Sequence, residues 1–379
     1  MLKQQKIFFD FLRFCIGSAK EIPGSLKEVD WKELYAIAKM QALLGVLFYG
    51  IRRLPKELVP KQKLLMQWMV MAEQIRKQNI RLFLDSVKVC LNFENEGFAN
   101  CILKGQGNAL LYPDPYMRTP GDIDIYLSGG RRKIIKYVDQ VCPNQVMRYH
   151  HVDFPVTKTA IEVHFTPSYM FCPIHNRRMQ KWFEEVMGEQ CNHRVSLPDG
   201  YGEIHVPHVS FNVIYILSHL YRHIFTEGIG LRQLLDYYFV LLKWHTDLTN
   251  LTDSNNSLPQ MTQINTDLDA LRHELKYLGL WKFAGAVMYV LHEVFGLSED
   301  RMIAPMNEKE GKFLLDEIMR GGNFGQYDDR MGDKVDESKI HRYFRMNLRN
   351  LRFVKHYPTE ALSEPLFRTW FAVWKKIHG

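Results

Sequence analysis

Apolar residues recur every three to four positions from 60 to 96 (Leu64, Leu65, Trp68, Met71, Ile75, Ile80, Phe83, Val87, Leu91), and no Gly or Pro interrupts them after Pro60. That spacing predicts one long helix, or two with a bend, stopped by Gly97. Met66, Met69 and Met71 within it read as adaptable core filler, with a binding surface as the alternative. Residues 1–96 as a whole read as helical. The period changes from Phe98 onward. Short apolar runs at 98–103, 123–127, 152–156, 160–165 and 204–206, each bounded by Gly, Pro, Asp or Asn, predict strands, and helical patterns at 131–141 and 176–187 lie between them. Residues 98–206 therefore read as a mixed α/β unit of about domain size. After Pro207 helical patterns return at 209–226, 231–245, 264–278, 281–295, 308–319, 338–355 and 365–377, while 246–263 and 321–337 read as polar connectors. The expected organisation is α+β: a helical region at 1–96, an α/β core at 97–206 and a helical domain at 207–379.

Composition removes several classes of protein. Hydrophobic residues at 46% and charged residues at 24% exclude collagen-like and wholly disordered chains. The longest apolar run, 42–51, is about half of the roughly 20 residues a membrane-spanning helix needs, so no transmembrane segment is expected. Asp10 and Arg13 break the first apolar stretch, and no small-residue cleavage site follows, so a secretory signal is not expected either. Six cysteines without a Cys-x-x-Cys pair fit reduced thiols in a cytoplasm. The net charge of +7 is mild for this length and permits an anionic ligand. No basic and aromatic tract suggests a polynucleotide, so nucleic acid is not an expected partner.

The most informative stretch runs from Lys104-Gly105-Gln-Gly107 through Arg118 to Gly121-Asp122-Ile-Asp124-Ile. Strand alternation places Asp122 and Asp124 on one face, with Ile123 and Ile125 turned into the core. Two convergent carboxylates repel unless they share a cation, and hard ions such as Mg²⁺ favour such oxygen pairs. Upstream, a strand ending at Lys104 enters Gly105-Gln-Gly107 and a short helical stretch, an arrangement whose backbone N–H groups can hold phosphate oxygens; a plain turn reads equally well there. Downstream, Ile161-Glu162-Val163-His164-Phe165 presents Glu162 and His164 to one face and offers a third carboxylate.

Together these motifs resemble the polymerase-β superfamily of nucleotidyltransferases, and in detail the bacterial type 5 nucleotidyltransferase family, over about 98–245. The likeness extends to His219, His223, Arg232 and Asp236 in His-Leu-Tyr-Arg-His…Leu-Arg-Gln-Leu-Leu-Asp. It implies a polymerase-β-like core that moves an NMP group from a nucleoside triphosphate to a hydroxyl of a small molecule or protein, with Mg²⁺ or Mn²⁺ as cofactor. By the same resemblance Asp122, Asp124 and Glu162 hold the metal, and Glu162 completes the second metal site or deprotonates the acceptor. Gly105 and Gly107 hold phosphates, and Lys104 and Arg118 neutralise the leaving pyrophosphate. The superfamily usually has Gly-Ser or Gly-Gly at the turn where this chain has Gly-Gln-Gly. A non-catalytic descendant that binds nucleotide or a partner is the alternative.

Other residues leave two readings open. His219 and His223, four apart on a helix, suit metal chelation or a packed face hydrogen-bonded to Asp236 or to the α/β unit. If the strands align, the helices after Pro207 should wall a cleft in front of Asp122 and Asp124. Asp153 is the reserve third carboxylate should Glu162 point away. Cys172, His175, Cys191 and His193 make a spacing near that of a structural zinc site. The final helix, with Phe367, Trp370, Phe371 and Trp374 beside Arg368, Lys375 and Lys376, reads as a docked aromatic stripe or a membrane-surface helix.

Overall fold

A computed structural model describes residues 3–254, 260–331 and 339–378. The N-terminal part holds α1 (Lys3–Ile16), α2 (Trp31–Met40), α3 (Leu44–Ile51) and α4 (Gln62–Asn95). Asp30 caps α2 by accepting the backbone N–H groups of Lys32 and Glu33, as an acidic N-cap does. The 60–96 pattern forms one continuous helix, α4, of 34 residues, about 50 Å long at 1.5 Å per residue. Met66 and Met69 do not fill the core: both are exposed, and only Met71 packs against it.

The sheet follows, with β1 (Asn100–Ile102), α5 (Gln106–Ala109), β2 (Ile123–Leu127), α6 (Arg131–Val141), β3 (His151–Asp153) and β4 (Ile161–His164). Its spatial order is β1-β2-β4-β3, with β2 and β4 parallel and the outer pairs antiparallel. The alternation works as expected. Ile123, Ile125 and Leu127 on β2, with Ile161 and Val163 on β4, are buried in one apolar cluster, which leaves the acidic positions to the opposite face. After α7 (Pro173–Gln190) comes a hairpin of β5 (Arg194–Ser196) and β6 (Glu203–His205). The pattern gave no sign of β5, because its three residues include one apolar side chain, Val195, which is only half-buried against the sheet core.

The remaining helices are α8 (Val209–Thr226), α9 (Leu231–Ser254), α10 (Gln260–Tyr277), α11 (Trp281–Val290), α12 (Glu308–Gly321), α13 (Lys339–Val354) and α14 (Pro358–His378). Helix α9 extends into the stretch expected to be a loop, and α10 begins within it; residues 255–259 between them lie outside the described residues, as do 332–337 of the second connector and 338, the first residue of the expected helix after it. Helix α14 starts at Pro358 and carries Pro365 in its interior. One large apolar core joins α1–α3 to α8–α12, a second lies under the sheet, and α4 contributes Trp68 and Ile75 to the first and Leu82, Phe83, Val89 and Phe93 to the second. Among the described residues no helix is long and apolar enough to cross a membrane.

Candidate functional site

Parallel register decides the site. Asp124 on β2 stands directly opposite Glu162 on β4, and across β4's other edge Glu162 stands opposite Asp153. All three side chains rise from the sheet face that turns away from the second core. A cleft of about 1080 Å³ opens over them, and α8 and α9 form its far wall with His219, His223, Arg232 and Asp236. The helices after Pro207 thus face the carboxylates as expected.

Asp124 is buried and doubly partnered: Lys104 Nζ lies 3.2 Å from Oδ2, and His164 Nε2–H donates to Oδ1 at 3.1 Å. Burial alone would raise its pKa, but Lys104 and His164 hold the carboxyl well below the usual range. Lys104, half-buried, is kept charged by Asp124, Asp122 and Glu162 against the cost of its desolvation. Glu162 Oε2 sits 3.1 Å from His151 Nδ1 and 3.5 Å from His164 Nε2. Burial would raise its pKa, and the His164 hydrogen bond keeps it below normal. Asp122, at the mouth of β2, bears the repulsion. The charge of Asp124, with burial second, pushes its carboxyl up to about 6.

Ligand atoms of Asp124, Glu162 and His164 all lie within 4.8 Å of one another, as do those of His151, Asp153 and Glu162. Donors that close can converge on one ion, and the carboxylates suit Mg²⁺; His164 joins such a set, which also suits Mn²⁺, only by giving up the Nε2 proton it donates to Asp124.

The glycine turn divides into two unlike positions. Gly105 lines the cleft at φ +72°, a backbone that a side chain would strain. Gly107 faces Val206 instead, where an added Cβ would stand 2.8 Å from Cγ1, so packing accounts for it. Arg118 is buried, and its guanidinium makes two 2.8 Å bonds to Asp236, which also accepts the Tyr112 hydroxyl at 2.7 Å.

Three residues escaped the sequence reading. His150 packs edge to face against His164 and His151 lies tilted against it, and burial drives both imidazoles toward the neutral form, His151 down to about 3. A signal existed, since extending the alternation one residue back from Val152 puts His151 on the face of Asp153. The third is Arg222, one turn from His219 on α8. It is buried at the cleft wall, and among the described residues no carboxylate lies within 4.0 Å of it. Its NH2 reaches His219 Nδ1 at 3.3 Å and His223 Nε2 at 3.1 Å, while Lys104 Nζ lies 3.1 Å from His219 Nε2. A neutral imidazole can accept only one of the two cations that flank His219. This corner therefore holds more donors than acceptors and is suited to an anion.

The four zinc candidates do not assemble. Cys172 and His175 group with Glu360, which accepts from both and from the Phe171 N–H. Cys191 instead lies beside Cys101, both as free thiols, and His193 stacks on His208.

A small mixed sheet carrying aligned carboxylates, beneath a cleft lined by six basic and six acidic side chains, in a mostly helical chain, defines an α+β protein with a carboxylate-bearing cleft. The sequence pattern of one family, described as uncharacterised nucleotidyltransferase, matches residues 27–296, and the chain belongs to that family. No curated protein and no solved structure matches it.

Proposed function

We propose that this protein is a cytoplasmic, Mg²⁺- or Mn²⁺-dependent nucleotidyltransferase on a polymerase-β-like core, moving an NMP group from a nucleoside triphosphate to a hydroxyl of a small molecule or protein. The observation that carries this reading is the Asp124–Glu162 register beneath a donor-rich corner. Asp122, Asp124 and Glu162, with His164 beside them, would hold the metal. When bound, the metal neutralises triphosphate charge and polarises the α-phosphoryl group.

The chain's own residues do the rest. Lys104 and Arg222 supply ammonium and guanidinium donors to phosphate oxygens, and Gly105 lets the backbone approach them. Glu162, held ionised by His164, accepts the acceptor hydroxyl's proton. The new bond joins the acceptor oxygen to the α phosphorus, the bond from that phosphorus to the α,β-bridging oxygen breaks, and pyrophosphate leaves with the electron pair. Arg118, pinned by Asp236, acts from behind by fixing the cleft wall.

The test incubates the full chain with each labelled nucleoside triphosphate, Mg²⁺ or Mn²⁺ and a cell extract, and looks for a labelled product. Asp124→Asn and Glu162→Gln should each lower labelling by about a hundredfold or more. Unchanged labelling in both would end the catalytic reading.

A further inference from the structure

Helices α13 and α14 form an antiparallel hairpin. Asn350 Nδ2–H donates to Glu364 Oε2 at 2.8 Å near the turn, and the Tyr343 and Thr369 hydroxyls meet at 3.1 Å near the open end. The inner face is docked: Phe353 and Ala361 lie in the large core, and Phe367 stacks on Tyr169. The outer face is not. Phe344, Leu348 and Leu351 on α13, spaced four and three, and Leu362, Leu366, Trp370 and Val373 on α14, spaced four, four and three, are all more than half exposed. Such spacing lines each set along one side of its helix, and the antiparallel pairing sets the two lines next to each other. Single exposed apolar residues are ordinary, but seven in one strip mark a docking surface.

Charge identifies the occupant. Residues 339–378 carry nine Lys and Arg against two Asp and Glu, a net +7, which equals the net charge of the whole chain; the rest of the protein sums to zero. Both acids, Glu360 and Glu364, are buried, as is Arg349, while Arg352 pairs with Glu317 and Asp328 and Arg368 with Glu364, so none of these five groups presents an unpaired charge outward. Lys355 and Lys376 are exposed near the two ends of the strip. A second copy would bring two +7 segments face to face, and a nucleic acid would use the charge but not the leucines. An anionic bilayer surface accepts both, taking the apolar strip at the acyl boundary, with an indole at headgroup depth and lysines toward the phosphates.

We propose that the outer face of the α13–α14 hairpin seats this protein on membrane surfaces that contain anionic lipid. The seat is peripheral and independent of nucleotidyl transfer.

The test sediments the full chain with vesicles of phosphatidylcholine alone or with about 30% phosphatidylglycerol. Binding is expected only to the anionic vesicles, falling about tenfold or more as salt is raised to about 0.5 M. A blue shift in tryptophan emission on binding should shrink in Trp370→Phe. Leu348→Glu with Leu366→Glu should reduce vesicle binding by about tenfold or more, and Leu366→Met should retain it. Should the double variant melt early, Lys355→Glu with Lys376→Glu, both at exposed positions, gives the same reading. The proposal is overturned by equal binding to neutral vesicles, by wild-type binding of the Glu variants, or by retention on polyglutamate without vesicle binding. It is equally overturned by a dimer in sedimentation velocity that Leu366→Glu dissociates while no vesicle is bound.

Discussion

Asp122 carries the electrostatic cost of the carboxylate cluster. Its carboxyl is raised to about 6 by Asp124 and burial, against about 3.9 in an unfolded chain. Above pH 6 the folded state therefore holds a charge that the unfolded state tolerates better. The resulting destabilisation is full above about 6 and is relieved as pH falls toward 4. Asp122→Asn should accordingly raise the melting temperature at pH 7.5, by the equivalent of about 1–2 kcal/mol, with the gain vanishing near pH 4. A scanning calorimetry series across that range checks it, and a variant less stable at pH 7.5 would contradict it. Asp236 is the opposite case. It compensates the buried Arg118 and accepts Tyr112, so Asp236→Asn should cost about 3–5 kcal/mol by leaving a buried cation unpaired. Urea denaturation measures the loss, and a cost below about 1 kcal/mol would show that the pair is dispensable.

At the scale of elements, the β1–β2 connection depends on a contact that no local pattern announces. Gly107 lets α5 approach Val206, just past β6, where a Cβ would meet Cγ1 at 2.8 Å. Gly107→Ala should cost about 1–3 kcal/mol, and adding Val206→Ala should return most of it. Equal stability of the single and double variants would dismiss the clash. The same distinction separates what was legible in the sequence from what was not. Asp124 and Glu162 were readable because alternation fixes the face of a strand, and α6 and α8 were readable from their bounding Gly130 and Pro207. The Arg118–Asp236 pair, 118 positions apart, was hidden because side-chain partners across such distances depend on tertiary packing. Periodicity likewise found the stripes of α4 and α14 but not what covers them. Met66 and Met69 point to solvent, and the aromatics of α14 divide, with Phe367 docked and Trp370 exposed. Arg222 was missed because a cation's importance here rests on the acids absent around it.

Across the whole molecule, the large core and the sheet core share α4, and the helix is rooted at each end by a buried aromatic, Trp68 in one core and Phe93 in the other. Trp68 also donates its indole N–H to the Leu44 carbonyl at 2.8 Å. Trp68→Ala should lower the single melting transition as a whole, by about 3–5 kcal/mol, with no separate early step from the N-terminal helices. Far-UV and near-UV dichroism followed in one melt would reveal two steps if the cores were independent. Mechanically, α4 is a beam clamped at both supports, and it sets how the cleft can open. Hinged opening of one core against the other would have to bend some fifty ångströms of uninterrupted helix. Motion therefore falls to light parts at the rim, where Phe324, held at φ +53°, rests its ring 5.8 Å from His223 and 5.7 Å from the Arg232 guanidinium. A latch of one strained turn, rather than a jaw, would then pace what enters and leaves the cleft.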